Sequence, residues 1–213
     1  VLSKAETLKS YPTVEYYLGY LAARRGDKEA AERWFRKAES GSIDYVFPFR
    51  LETIGVFNKA LEYMPESAAT WYYLGNLYYQ KQPDKAMDAW KKAVEIKPDF
   101  AMALRNIGWG CRFWKEDLGE AVEWYRKAID TDNGRNALFL AECDEILELM
   151  NAPLKERYDL FHGREDLYEK RYDSETKAIK LRILNGEYEE VLKSLLTRFY
   201  SRREHIEDLH DIY

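Results

Sequence analysis

The chain has few cysteines, few histidines and no long apolar run, and each shortage excludes something. Its two cysteines, Cys111 and Cys143, stand in no CxxC or zinc-ligand spacing, so neither a disulfide framework nor a metal site is expected. Of the three histidines, His162, His205 and His210, the last two are five residues apart, which does not set them on one helical face. No stretch approaches the roughly 18 consecutive apolar residues that a membrane-spanning helix requires, and no signal peptide opens the chain. Gly-rich phosphate loops and Ser/His/Asp orders are absent as well, so a non-catalytic chain without a cofactor is expected. Carboxylates are plentiful, but pairs such as Glu123 and Lys127 read as solvated helix faces. A net charge of −5 leaves no concentrated basic face and argues against nucleic acid. A reducing, cytoplasmic compartment fits the cysteine usage. The chain begins with Val1 rather than Met, which points to a longer parent and makes the missing leader uninformative.

What is abundant is aromatic residues, 15% of the chain, and they recur with a period. Residues 71–98 read WYYLGNLYYQKQPDKAMDAWKKAVEIKP. Trp71, Leu74, Gly75 and Tyr78 share one helical period, and Ala86, Trp90 and Ala93 share a second after the turn at Gln82-Pro83-Asp84. Gly75 and Ala86 suit a close approach of two helices, Trp71 suits the gap to a neighbouring helix, and Pro98 ends the unit. The same order returns at 101–133, with Leu104, Ile107, Gly108 and Cys111 and then Ala121, Tyr125 and Ala128. Trp71 and Leu104 lie 33 positions apart. Cys111 replaces Tyr78 of the earlier unit and reads as a small core residue.

These residues resemble the tetratricopeptide repeat, a helical hairpin of about 34 residues with the pattern W-x2-L-G-x2-Y, A-x3-F/Y/W, P. The resemblance implies an all-α fold, a right-handed α-α superhelix (TPR solenoid), here as a single domain over 1–213. A further unit spans 13–39 (Leu18, Gly19, Gly26-Asp27, Ala31, Phe35, Ala38), with Thr13 as its expected cap and residues 1–10 as the tail of a preceding helix. Leu18 and Leu74 are 56 positions apart, where two full repeats need about 68. A partial unit at 50–65 keeps Phe57, Ala60 and Pro65 but lacks its first helix. A short non-helical insert near 41–49 stands there instead, because Pro48 biases Phe47 away from helix. Its aromatics are expected to pack onto the solenoid, with Tyr45, Phe47 and Phe49 as a possible docking segment.

Later units diverge. Residues 135–149 should face inward with Leu138, Ala141, Ile146 and Leu149, and Pro153 should start a helix running to about Phe161. A last hairpin over 165–199 should build its core from Ala178, Leu181, Leu184, Val191 and Leu195. The tail 200–213 is charged and reads either as a capping helix or as a strand of a further domain. WFRKAES at 34–40, DYVFPFRLETI at 44–54 and ILNGEYEEVLKSLL at 183–196 further resemble the C-terminal repeat block of large bacterial proteins. In those proteins an uncharacterised β-rich, carbohydrate-enzyme-like region precedes the repeats. The match fades after Phe199, and it implies that any catalysis lies outside this chain.

Stacked hairpins of this kind line a concave groove with their first helices. The groove positions are Tyr16, Tyr20 and Arg24, then Tyr72, Asn76 and Tyr79, then Arg105, Trp109 and Arg112. Aromatic and basic together, they suit an extended peptide or protein segment, or another domain of the same chain, and aromatic plates also suit sugar rings. The carboxylate clamp of chaperone adaptors needs Lys and Arg where Tyr72, Asn136 and Leu140 stand, which argues against a chaperone tail despite Asn76 and Asn106 at its Asn positions. The expected function is therefore a protein–protein interaction scaffold, with a structural or oligomerisation block of a larger carbohydrate-associated protein as the alternative.

Overall fold

The computed structural model describes residues 11–44, 46–132, 136–169 and 171–197. Residues 1–10, Tyr45 and the tail 200–213 lie outside the described residues, and so do the expectations attached to them. The described residues form twelve helices and no strand. They divide into two compact units between Ile107 and Gly108.

The first unit holds α1 (Pro12–Arg24), α2 (Lys28–Glu39), α3 (Thr53–Tyr63), α4 (Ala68–Tyr78), α5 (Pro83–Ile96) and the start of α6 (Ala101–Phe113). Pro12, not Thr13, opens α1: it takes the first turn, where its missing N–H satisfies no helical bond anyway. Gly26 turns the chain with φ +81°, and Asp27 caps α2 by accepting from the Ala30 amide at 3.0 Å. Each hairpin closes on a glycine facing an aromatic ring. A Cβ on Gly19 would lie 2.6 Å from Phe35, and one on Gly75 would lie 2.3 Å from the Trp90 indole. Phe35 and Trp90 are themselves buried, so neither ring has room to retreat. Trp71 behaves differently from its expected wedge role. It stays half-exposed and donates from Nε1 to the Pro65 carbonyl at 3.0 Å.

Between α2 and α4 the chain forms one helix, α3, rather than two. Helix α3 packs on α1, α2 and α4, and residues 40–52 are non-helical where described. With no further first helix between them, α1 and α4 bond directly. The Tyr16 hydroxyl and Thr70 Oγ1 stand 2.8 Å apart in a buried setting. Ser67, the N-cap of α4, hydrogen-bonds both Thr70 and the Glu39 carboxylate at the end of α2. An anionic group beside a helix N-terminus is favourably placed against the helix dipole.

In the second unit α7 (Leu118–Thr131) is followed by α8 (Ala137–Leu149), α9 (Leu154–Phe161), α10 (Glu165–Tyr168), α11 (Tyr172–Leu184) and α12 (Tyr188–Thr197). Gly108 repeats the close approach, with a Cβ only 2.8 Å from Tyr125. The turn before α7 runs through Glu116 at φ +56°, a left-handed position without the usual glycine. Helix α8 touches α7, α9, α10 and α11, so it is apolar on several sides rather than along one stripe. For this reason the expected inward set is only half right. Ala141 and Ile146 are buried with Phe139, Leu140, Cys143 and Leu147, while Leu138 is half-exposed and Leu149 is exposed. Cys111 is fully buried, as its core reading requires. Burial also pushes the Cys143 thiol up to about 12, so it is unreactive as a nucleophile.

The single helix expected from residue 165 is two: α10 ends at Tyr168 and α11 begins at Tyr172. The break lets Tyr168 bury its ring at 5.9 Å from Phe161. Arg157 clasps the buried Asp144 carboxylate with two bonds of 2.7 and 2.9 Å, fixing α9 against α8.

Candidate functional site

The first-helix positions of the first unit fall into two groups. Tyr16 and Tyr72 are buried and so are not groove surface, a correction to the expectation above. Tyr16 meets Phe57 edge-on at 5.0 Å and Tyr73 at 6.1 Å. Burial, reinforced by the Glu39 carboxylate, raises its phenol above the ordinary range. Tyr72 packs at 4.9 Å from Phe100 and 5.7 Å from Tyr73. The direct α1–α4 contact explains the burial of Tyr16, which faces α4 where a spaced array would give it a groove.

Tyr20, Arg24, Asn76, Tyr79 and Arg105 retain exposure. Arg24 lies over the Tyr20 ring at 6.0 Å. Asn76 is the hub of a polar cluster. Its Oδ1 accepts from Trp90 Nε1 at 3.0 Å and from Asn106 Nδ2 at 3.1 Å, and Arg105 donates to Asn106 Oδ1 at 3.2 Å. The Tyr72 phenol joins it: burial raises its pKa, while hydrogen bonds from Asn76 and Asn106 and the Arg105 charge act the other way. The chain thus gathers two amides, an indole N–H and a guanidinium on adjoining elements α4, α5 and α6. Such a set can hold peptide carbonyls and a carboxylate. Sequence reasoning placed Asn76 and Arg105 here but left out Asn106 and Trp90. Asn106 did match an Asn position of the chaperone clamp, and Trp90 was placed only on the second helical period of its unit.

In the second unit Trp109 packs at 4.7 Å from Phe113 and edge-on at 5.2 Å from Trp114. The Arg112 guanidinium covers Phe113 at 4.7 Å and pairs with Glu145 at 3.0 Å. Its charge is therefore already engaged within the chain. A cleft of about 480 Å³ lies beside α7 and α9. Its cations are committed too: Arg126 to Glu156 at 2.6 Å, Lys155 to Asp159 at 3.0 Å, and Arg164 to the Leu160 carbonyl at 2.6 Å.

The insert departs from its expected packing. Val46 is the buried anchor, whereas Phe47 and Phe49 are 74% and 81% exposed. In an extended segment neighbouring side chains point to opposite sides, so seating Val46 turns Phe47 outward. No three Cys, His, Asp or Glu among the described residues gather as a metal site, and no described helix is long and apolar enough to cross a membrane.

Residues 68–100, the α4–α5 hairpin and its exit, match the family model for the tetratricopeptide repeat. The repeat family is supported. Among solved structures, the chain resembles YrrB, described as a TPR protein with an unusual peptide-binding site. The TM-score is 0.53 at 21% identity, over 64% of this chain and 70% of that one. It also resembles MamA, with a TM-score of 0.53 at 17% identity, over 87% of this chain and 95% of that one. Both likenesses establish the fold, an all-α repeat of the α-α superhelix class. A peroxisomal targeting signal receptor from Candida albicans is 38% identical over 61 residues, 28% of this chain. The chain spans about a tenth of the length of that curated relative.

Proposed function

We propose that this chain is a non-catalytic protein-interaction scaffold that holds an extended peptide or protein segment on the first helices of its repeats. The observation that carries this reading is the half-buried cluster of Asn76, Asn106 and Arg105 beside the Tyr72 phenol. The Asn76 amide, held by Trp90 and Asn106, loses little freedom when it binds a backbone, and Arg105 adds a charge for an acidic group. Tyr79 lies one turn from Asn76 at the C-cap of the same helix and Tyr72 adjoins the cluster, while Tyr20 and Arg24 are the first-helix positions of α1 that retain exposure and Tyr16 is buried. Trp109 and Arg112 belong to the second unit, where Arg112 is already paired with Glu145. The peptide-binding and targeting-receptor descriptions of the similar proteins agree with this reading.

Selection of a random-sequence peptide display library on the intact chain tests it. Selected peptides are expected to bind about tenfold more weakly to Arg105→Ala and to Asn76→Ala, the loss of one charge-assisted or buried hydrogen bond. Equal binding to both folded variants removes the cluster from the site.

The exposed Phe47 and Phe49 favour a second reading, in which the chain is a structural block docking a β-rich part of a larger protein through the insert.

A further inference from the structure

The cleft beside α7 and α9 lies wholly within the second unit, apart from the Asn76 cluster. Its floor is apolar: Ile129 and Leu160 are buried, and Pro153 stands just before α9. Three cations and three carboxylates line it, so its walls are neutral as a whole. Four of these charges cancel in pairs, Arg126 with Glu156 and Lys155 with Asp159. The other two stay apart. Arg164 spends a single N–H on the Leu160 carbonyl, a neutral acceptor that leaves the guanidinium charge uncompensated. The Asp130 carboxylate makes no ion pair or side-chain hydrogen bond among the described residues. It sits in the last turn of α7, where a negative charge opposes the helix dipole, so helix stability does not account for it.

We propose that this cleft binds a small zwitterion with an apolar side chain, a free α-amino acid or a dipeptide. Its carboxylate takes the remaining N–H groups of the Arg164 fork, and its ammonium meets Asp130. Its side chain lies on Ile129, Pro153 and Leu160. An ion of one sign would answer one wall charge and be repelled by the other, whereas a zwitterion answers both and adds no net charge. At about 480 Å³ the cleft is within the roughly 300–1,000 Å³ usual for small-ligand sites. The peptide-binding reading does not enter this argument, so either can fail alone.

Calorimetric titration of the intact chain with L-leucine and with L-leucyl-L-leucine tests the site. At least one is expected to bind with a Kd below about 1 mM, and the tighter of the two gives the ligand length the cleft takes. The N-acetylated form of that probe lacks the ammonium, and its C-terminal amide lacks the carboxylate. Each should bind at least about tenfold more weakly. Asp130→Asn should weaken the unblocked probe by about the same factor and leave the N-acetylated form unaffected. Arg164→Gln should weaken the unblocked probe and spare the amide. Asp130→Asn removes an unfavourable dipole contact and keeps the fold, so it decides should Arg164→Gln unfold the unit. Absence of binding up to about 10 mM of either probe overturns the proposal. Equal binding of a blocked form does so too, as does binding unmoved by Asp130→Asn.

Discussion

Gly75 and Gly186 each belong to a helical hairpin, and they do opposite work. Gly75 sits mid-helix in α4 with ordinary backbone angles, and what it provides is space, since a Cβ would stand 2.3 Å from the Trp90 indole. Gly186 sits between α11 and α12 with open space around it, and what it provides is a φ of +92°. The first hairpin is therefore specified by interlocking shape across two helices, and the last by the conformation of its turn. Shape leaves a pattern that can be read across 16 residues, a glycine and a large ring at a set distance. A turn leaves a single letter.

The comparison is most directly broken by adding one methyl group to each hairpin. Gly75→Ala forces the buried indole to move and should destabilise the first unit by about 3 kcal/mol in urea unfolding. Gly186→Ala meets no neighbour and should cost about 1 kcal/mol, the left-handed backbone penalty alone. Combining Gly75→Ala with Trp90→Leu should cost less than the two single changes added together, because the smaller side chain gives the methyl room. Equal costs for the two alanines, or simple additivity at the first site, would erase the distinction between shape and turn.

A smaller effect separates the turns. Where α1–α2 and α11–α12 use glycine, the α6–α7 turn uses Glu116 in the left-handed region and ties its flanks with side chains. Lys115 donates to Glu120 at 2.9 Å, and Trp124 Nε1 donates to the same carboxylate at 3.2 Å. The Lys115 bond first, then the Trp124 bond, hold the Glu120 carboxyl down at about 2, against the opposing effect of burial. A folded pKa below the unfolded value of 4.5 gives stability that is present above pH 4.5 and is lost as pH falls toward 2. Lys115→Met should raise the Glu120 titration seen by carboxyl NMR. Its destabilisation relative to the natural chain should be larger at pH 6 than at pH 2. A Glu120 that titrates near 4.5 with Lys115 in place would mean that the turn is not held this way.

The contrast between shape and turn also explains how much could be read from the sequence. The Gly75, Ala86 and Trp90 triad was legible because each residue type has only one steric use there, and Gly108 with Tyr125 repeated it. The inward faces of α1 and α4 were not. Counting positions assigns Tyr16 to a groove, but α4 comes directly onto it, and only a spacing 12 or so positions short of two full repeats hinted at that. Helix α8 defeated the periodicity argument for another reason, since a helix surrounded by α7, α9, α10 and α11 has no polar side from which to take a phase. Arg112 was read as a free groove cation because its partner, Glu145, lies 33 residues away and shares no local spacing with it. Polar pairings between successive units escape a reading that treats each unit alone.

The smallest expected effect falls on the insert, and its smallness is what makes it useful. Phe47 and Phe49 project from the chain, with Val46 as the buried residue between them and the helices. Exposed side chains away from caps and turns usually change stability by no more than about 0.5 kcal/mol. The double change Phe47→Ser/Phe49→Ser should therefore leave the urea midpoint almost unmoved, whereas Val46→Ser should lower it. If the phenylalanines packed on the repeats as their sequence suggested, the order would reverse. Two large aromatics kept on a surface where they add nothing to folding are a cost in solubility with no return inside the chain. A loss of association with a β-rich partner on the same double change, at constant stability, would give them a use. Retained association would return the insert to the status of a spacer that merely replaces a helix.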